Sequence, residues 1–299
     1  MNLDRYDTTL AEIPSAKETS AMGERSQVDR SKATGLGVEY EESGSGPTLV
    51  LVPGSCSTGA AWRPVTAYLK DRFRCITTSL PGYGRTQERR SAEDVSIRHQ
   101  CEAVQEVIER AGEPVHLVGH SFGGLVALAV ALAGRAKIAS LTILEAPAVG
   151  LLYRSGEEEH LAAISAMRDS YFGAYGQGKH DAIGTMIDFY GGAGTFAAWP
   201  ERVRSYAIET TPVNMLDWGG AYGFRPTPQA LAALDLPTLI CVGAQSHSSV
   251  RRANKLIHRA MPAARFAEIG GAAHFMIATH AGEVASMIVD HARLAGEQR

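Results

Sequence analysis

The chain has 299 residues, enough for one large domain or for one domain with a sizeable insertion. Hydrophobic residues make up 45% of it and charged residues 20%, an ordinary globular composition that can bury a substantial core. The formal net charge of −3 gives no sign of the basic surface that nucleic acids or anionic membranes attract. We therefore expect neither of these partners.

The four cysteines, at positions 56, 75, 101 and 241, match no zinc or redox spacing, so we expect all four to be reduced. The first residues include acids and lack a basic segment followed by an apolar one, so no secretory signal is predicted. The longest apolar run, 125–133, is far too short to span a membrane. These features predict a cytoplasmic protein with no metal and no cofactor.

Short aliphatic runs alternate with longer amphipathic segments from residue 36 onward, whereas residues 1–34 show no periodicity and are predicted to form a flexible N-terminal arm. The predicted strands are 37–42 at the sheet edge, 48–52, 74–78, 115–118, 141–144, 238–242 and 265–269. The predicted helices are 61–72, 96–112, 121–133, and segments near 250–261 and 282–295. This alternation predicts an α/β fold with a mostly parallel central sheet and helices on both faces. Functional side chains are expected at the carboxyl ends of the strands.

The alternation stops between residues 148 and 226, where aromatic residues such as Tyr171 and Trp218 become frequent. We interpret 148–226 as a helical cap inserted into a core made of 35–147 and 227–299. Some of the aromatic side chains would fill the cap's own small core. The others would line an apolar substrate pocket against the sheet edge.

The sequence Gly119-His120-Ser121-Phe122-Gly123 has the form G-x-S-x-G. The bare motif is weak, but here an apolar strand ends at Gly119 and an apolar helix begins at Ser121, which is the strand–turn–helix context of a nucleophile elbow. Small neighbours suit a sharp turn, and the first N–H groups of the helix have no partner within it. Ser121 is therefore predicted to be a nucleophile rather than only a helix N-cap.

With this motif the sequence resembles the α/β-hydrolase superfamily, in particular its capped serine hydrolases, from about residue 36 to the C-terminus. Three further motifs carry the resemblance: Leu51-Val52-Pro53-Gly54-Ser55, with Pro53 where the family usually has His; Leu80-Pro81-Gly82-Tyr83-Gly84-Arg85-Thr86, preceded by Ser79 in place of Asp; and Gly270-Gly271-Ala272-Ala273-His274. The resemblance implies an α/β-hydrolase fold and an oxyanion hole made by the backbone N–H groups of Ser55 and Phe122.

A catalytic base is expected to be a histidine on a loop that follows a strand. Of the ten histidines, His274 fits best, because a short loop joins it to the predicted strand 265–269. His247, on another loop at a strand end, is the alternative. His120 lies inside the elbow and is expected to pack aside, and His280 is expected on the approach to the last helix.

The acid is missing from the position where this fold usually has it. The loop after 238–242 reads Gly243-Ala244-Gln245-Ser246-His247 and holds no carboxylate. Glu145, however, directly follows the strand 141–144, and some capped members of the family place their acid after that strand. We predict a triad of Ser121, His274 and Glu145, which keeps the order Ser…Glu…His along the chain. The alternative is that Glu145 only bonds to the beginning of the cap.

These residues predict a serine hydrolase that cleaves an ester-like bond of a small, largely apolar substrate through an acyl-enzyme. A carbon–carbon bond hydrolase or an acyltransferase would use the same triad, and a receptor-like binding protein with weak turnover is a further alternative. Dehalogenase and epoxide hydrolase activities are disfavoured because they use a carboxylate nucleophile. The expected partner is a small-molecule substrate, and the choice between monomer and homodimer stays open.

Overall fold

The computed structural model describes residues 32–33, 35–112 and 114–297. The strands in these residues are β1 (Lys32–Ala33), β2 (Glu39–Ser43), β3 (Thr48–Val52), β4 (Arg74–Thr78), β5 (Val115–His120), β6 (Ile138–Leu144), β7 (Thr238–Gly243) and β8 (Arg265–Ile269). They form one sheet in the order β1-β2-β4-β3-β5-β6-β7-β8. Only the β1–β2 and β2–β4 pairs of this described sheet are antiparallel. The expected mostly parallel sheet is thus confirmed.

Helices cover both faces of the sheet, as the alternating pattern predicts. After a 3₁₀ turn at Gly59–Trp62 they are α1 (Arg63–Leu69), α2 (Arg98–Ala111), α3 (Phe122–Ala133), α4 (Val149–Arg154), α5 (Glu158–Gly176), α6 (Ile183–Gly191), α7 (Thr195–Ala198), α8 (Glu201–Glu209), α9 (Thr211–Gly223), α10 (Pro228–Ala232), α11 (Ser248–Ala260), α12 (Met276–Thr279) and α13 (Ala281–Glu297). Helices α1, α12 and α13 pack on one face, and α2, α3 and α11 pack on the other.

Strand β3 shows why the central strands are apolar at every position. Leu49 and Leu51 belong to the apolar cluster under α1 and α13, whereas Val50 and Val52 belong to the cluster under α2 and α3. Successive side chains of a strand point to opposite faces, so a strand covered on both sides needs apolar residues throughout.

The start of the sheet differs from the sequence prediction. The predicted edge strand 37–42 is β2, and its position at the edge is wrong because β1 pairs beyond it, with Lys32 opposite Tyr40. A strand of two residues is too short to give a periodic pattern, so the sequence does not reveal it. The rest of the predicted flexible arm, 1–31 and 34, lies outside the described residues.

The stretch predicted to be a cap contains helices α4 to α9 and no strand, and every residue from 148 to 226 is described. Its buried side chains, including Tyr171, Ile187 and Trp218, join the same apolar cluster as α3. The division of the chain into a core and a cap stays a prediction.

The beginning of helix α3 packs very close to the end of strand β5. This close packing explains why both outer positions of the G-x-S-x-G motif are glycine. A Cβ atom on Gly119 would lie 2.2 Å from the carbonyl O of Gly123. A Cβ on Gly123 would lie 2.3 Å from the carbonyl O of Pro53. Both atoms belong to the backbone, so neither clash can be relieved by a side-chain rotation.

We expect Gly119→Ala to lower the free energy of unfolding by about 3 kcal/mol, because the added methyl group forces strand and helix apart. The control is Gly173→Ala in the exposed interior of α5, where nothing lies within 4 Å of the added Cβ. That change should raise the free energy of unfolding by about 0.5–1 kcal/mol. Guanidinium unfolding measures both, and equal midpoints for Gly119→Ala and the wild type would contradict the account.

Candidate active site

Ser121 occupies the turn between β5 and α3 with a backbone that few residues adopt. Its φ of 54° and ψ of −128° lie outside the helical and extended regions. Its N–H donates to the carbonyl O of Leu144 at 2.8 Å, which fixes the turn to the end of the neighbouring strand β6. Non-glycine residues in such conformations persist where the surroundings impose them, often at functional sites.

His274 bridges the other two predicted triad residues. Its Nε2 lies 2.8 Å from Ser121 Oγ, and its Nδ1 lies 2.7 Å from Glu145 Oε2. A carboxylate accepts a hydrogen bond from Nδ1–H, which leaves Nε2 free to accept one from the serine hydroxyl. The structure therefore brings Ser121, His274 and Glu145 into one chain of hydrogen bonds.

Glu145 is completely buried and, like Ser121, has a positive φ, of 52°. Its second oxygen, Oε1, accepts the Gly243 N–H at 2.6 Å. Burial by itself would raise the pKa of this carboxyl, but the His274 hydrogen bond and charge, together with Gly243, hold the pKa below its ordinary value. The buried Ser246 hydroxyl helps to lower that pKa without making a hydrogen bond of ordinary geometry.

The buried side chain of Asn254 on α11 fixes the backbone that follows Glu145. Asn254 Oδ1 accepts the Ala146 N–H, and Asn254 Nδ2 donates to the Ala146 carbonyl O, both at 3.0 Å. These two hydrogen bonds take the place of the backbone hydrogen bonds that a neighbouring strand would provide, because strand β6 ends at Leu144. Nothing in the sequence singled out Asn254, because a single polar residue on an amphipathic helix carries no motif.

Ser55 and Phe122, the two residues predicted to supply oxyanion-hole N–H groups, both line the pocket that contains Ser121. Phe122 is the first residue of α3, where N–H groups have no partner within the helix. Ser55 follows Gly54, which lies so close to Ser121 that a Cβ on Gly54 would be 2.8 Å from Ser121 Cβ. The arrangement is suited to holding negative charge on an oxygen beside Ser121.

The other three histidines considered from the sequence are held by contacts of their own. His247 accepts the Ser249 N–H at 3.2 Å at the beginning of α11 and stacks on Phe189 with ring centroids 4.0 Å apart. His280 lies between α12 and α13 and bonds to Thr279 Oγ1. His120 is buried, and its Nε2 donates to the carbonyl O of His274 at 2.7 Å. The two contacts of the alternative base, His247, are thus with Ser249 and Phe189, whereas the hydrogen bond to Ser121 comes from His274.

The pocket in front of Ser121 has about 530 Å³ of empty space, part of it open to solvent. Its walls are mostly apolar and come from both the sheet ends and the segment 148–226. The lining residues are Ser55, Cys56, Ser121, Phe122, Pro147, Met186, Ile187, Tyr190, Trp199, Asn214, Asp217, Trp218, Ala221, His274 and Phe275. Such a pocket suits a small, largely apolar ligand with one polar reacting group.

A buried carboxylate in this pocket, that of Asp217 on α9, is not predicted from the sequence. It accepts hydrogen bonds from Ser55 Oγ at 2.5 Å, from Tyr83 Oη at 2.6 Å and from Arg90 Nη1 at 2.6 Å. Arg90 stands in the charged run Glu88-Arg89-Arg90, which has the pattern of a solvated loop. A partner more than a hundred positions away gives no local signal.

Within residues 35–112 and 114–297, no group of three or more His, Cys, Asp and Glu side chains is placed to hold a metal ion. In the same part of the chain, no helix is long and apolar enough to cross a membrane.

Burial and the nearby His274 lower the pKa of His120 to about 3. A histidine whose pKa is lowered in the folded state favours the neutral form, so its contribution to stability is complete above its ordinary pKa and is lost as the pH falls. We expect the His120 ring to stay neutral in nitrogen-resolved NMR spectra down to about pH 4, far below the pH at which an ordinary histidine takes up its proton. A His120 titration midpoint near 6.5 would contradict the structure.

The sequence model of the alpha/beta hydrolase family matches residues 49–287. A pimeloyl-[acyl-carrier protein] methyl ester esterase from Methylococcus capsulatus is 38% identical over 109 residues, which are 36% of this chain and 41% of the esterase. The match thus spans about two fifths of that relative.

Solved structures share the fold at lower sequence identity. A thermophilic esterase from Thermogutta terrifontis superimposes with a TM-score of 0.68 at 22% identity, over 89% of this chain and 98% of the other. An alpha/beta hydrolase from Sphaerobacter thermophilus gives a TM-score of 0.60 at 21% identity, over 87% of this chain and 99% of the other. The sheet, the strand–turn–helix around Ser121 and the family match lead to one conclusion: the chain belongs to the alpha/beta hydrolase family.

Proposed function

We propose that this protein is a serine hydrolase that cleaves the ester bond of a small, largely apolar substrate. The observation that carries the proposal is the chain of hydrogen bonds from Ser121 Oγ through His274 to the buried Glu145 carboxylate. A serine hydroxyl becomes a strong nucleophile when a correctly oriented imidazole removes its proton. The ester substrate named for the Methylococcus capsulatus relative supports the same reaction class.

In the first step of the proposed reaction, His274 Nε2 takes the proton of Ser121 as Oγ attacks the ester carbonyl carbon. The N–H groups of Ser55 and Phe122 bind the oxygen that becomes negative. Glu145 holds the imidazole in the tautomer that accepts at Nε2 and stabilises the imidazolium that forms. His274 then returns the proton to the leaving alcohol, and Ser121 is left acylated.

In the second step, a water molecule gives a proton to His274 and attacks the acyl carbon. The tetrahedral intermediate collapses with proton transfer from His274 to Ser121 Oγ, and the carboxylic acid leaves. The apolar walls of the pocket, to which Trp199, Trp218 and Phe275 contribute, would bind the hydrocarbon part of the substrate. We propose that the segment 148–226 acts as a cap for this reason.

A cytoplasmic location is part of the proposal. It is supported by the four cysteines, which are all free and buried, as is usual in reducing compartments.

We expect a fluorophosphonate probe to label the wild-type protein on Ser121, with His274 Nε2 taking the Oγ proton and fluoride leaving. Ser121→Ala should show no labelling and at least about a 10³-fold lower kcat on p-nitrophenyl esters. The control is Ser248→Ala, an exposed serine at the beginning of α11, which should behave as wild type. Ester turnover that persists in Ser121→Ala would refute the nucleophile, and an unlabelled, folded wild type would favour a binding protein.

A further inference from the structure

The carboxylate of Asp217 joins three segments that are far apart in the sequence. Ser55 belongs to the loop after β3, Tyr83 and Arg90 to the long loop after β4, and Asp217 itself to helix α9. Ser55 and Tyr83 donate to Oδ2 at 2.5 and 2.6 Å, and Arg90 donates to Oδ1 at 2.6 Å. One side chain of the segment 148–226 therefore holds two loops of the sheet edge.

The contact between Arg90 and Asp217 is buried and joins opposite charges. The side chains of Arg90 and Asp217 are 0% and 2% exposed. Arg90 Nη2 also donates to Glu88 Oε2 at 2.7 Å and to the Pro81 carbonyl O at 3.1 Å. A buried ion pair is often no more stabilising than apolar residues of the same size. General stability is therefore a poor explanation for this network.

The loop that carries Ser55 needs an external support. Cys56, the next residue, has a positive φ of 57°, a conformation that costs a non-glycine residue free energy. Ser57 Oγ donates to the Gly54 carbonyl O at 2.8 Å, which supports the loop from within. The Ser55–Asp217 hydrogen bond ties the same loop to α9 from outside, at a residue that lines the pocket together with Ser121.

The charge of Asp217 makes Arg90 necessary. A carboxylate that is hydrogen-bonded to the side chain of an oxyanion-hole residue would oppose the negative charge that develops on the substrate oxygen. The buried guanidinium of Arg90 offsets that charge at 2.6 Å. Arg90, which also pairs with Glu88, thus offsets part of the negative charge that Asp217 brings close to the oxyanion.

We propose that Asp217 is a positioning residue that, through the Ser55 side chain, aims the Ser55 backbone N–H at the oxygen that becomes negative during ester cleavage. This inference rests on the proposed hydrolase function. It also couples the helical segment 148–226 to the chemical step, because removing the carboxylate of α9 would loosen the oxyanion loop.

The test compares Ser55→Ala and Asp217→Asn with the wild type on p-nitrophenyl butyrate. Both variants should lower kcat by about 10- to 100-fold while KM changes less than about 3-fold, since the lost interaction acts on the transition state. The inhibition constant of a trifluoromethyl ketone, which forms an oxyanion adduct with Ser121, should weaken by the same factor. The constant for the matching ether, which forms no oxyanion, should not change.

Two further variants make the result specific. Ser55→Thr keeps the hydroxyl and should restore most of the lost kcat. Glu157→Gln removes another carboxylate of the segment 148–226, one that pairs with Arg252 away from the pocket, and should match the wild type. Ser55→Ala, a small change, carries the test if Asp217→Asn does not fold.

The proposal is overturned if Ser55→Ala keeps kcat and the ketone constant within about 3-fold of wild type. It is also overturned if ether and ketone binding weaken equally, which would show a loss of pocket shape only. Either result leaves the hydrolase function standing as long as the fluorophosphonate labels Ser121. A wild type that is not labelled contradicts the hydrolase function itself.

Discussion

The hydrogen bond between Glu145 and His274 is the contact on which the rest of the site depends. It joins the end of β6 to the loop after β8, across the end of β7, and both side chains are almost fully buried. A carboxylate in such surroundings is costly unless several donors satisfy it, and here His274 and the Gly243 N–H do so. The ends of three neighbouring strands must therefore meet in one arrangement before His274 can face Ser121.

Backbone strain accumulates at the same edge of the sheet. Among the residues that the structure describes, three other than glycine have positive φ: Cys56 in the loop after β3, Ser121 after β5 and Glu145 after β6. Each such conformation costs on the order of 1–3 kcal/mol and needs surroundings that impose it. The glycines at 119 and 123 allow the close approach of α3, and Asn254 holds the chain beyond Glu145. These strained backbone conformations fix the directions of side chains at the site and do not serve to fill an apolar core.

Much of this arrangement could be predicted from local sequence patterns. The strand–turn–helix around Ser121 follows from two adjacent apolar runs. The position of Glu145 follows from the fact that parallel strands bring their carboxyl ends to one edge. The lack of a carboxylate in the loop after β7 was also informative, because it indicated that the acid comes from another strand. In the structure, the buried Ser246 of that loop lies beside the Glu145 carboxylate, which follows β6.

The remaining features depend on contacts between distant segments, which no local pattern reveals. Asp217 and Arg90 look like ordinary charged residues of a helix and a loop, and only the fold shows that they are buried together. Strand β1 cannot be predicted from the sequence, because two residues give no periodic pattern. The lining of the pocket could be assigned to an aromatic-rich segment, but the individual side chains that reach it could not.

The measurement that tests the central claim most directly is the kcat of Glu145→Gln on the best p-nitrophenyl ester. Gln keeps the size of the side chain but removes the charge that, in the proposed reaction, stabilises the His274 imidazolium. The account predicts a fall in kcat of about 10²- to 10⁴-fold, with the fold intact. Glu268→Gln, which changes a half-exposed carboxylate on β8, serves as the control and should match the wild type. A kcat for Glu145→Gln within about 3-fold of wild type would contradict the triad.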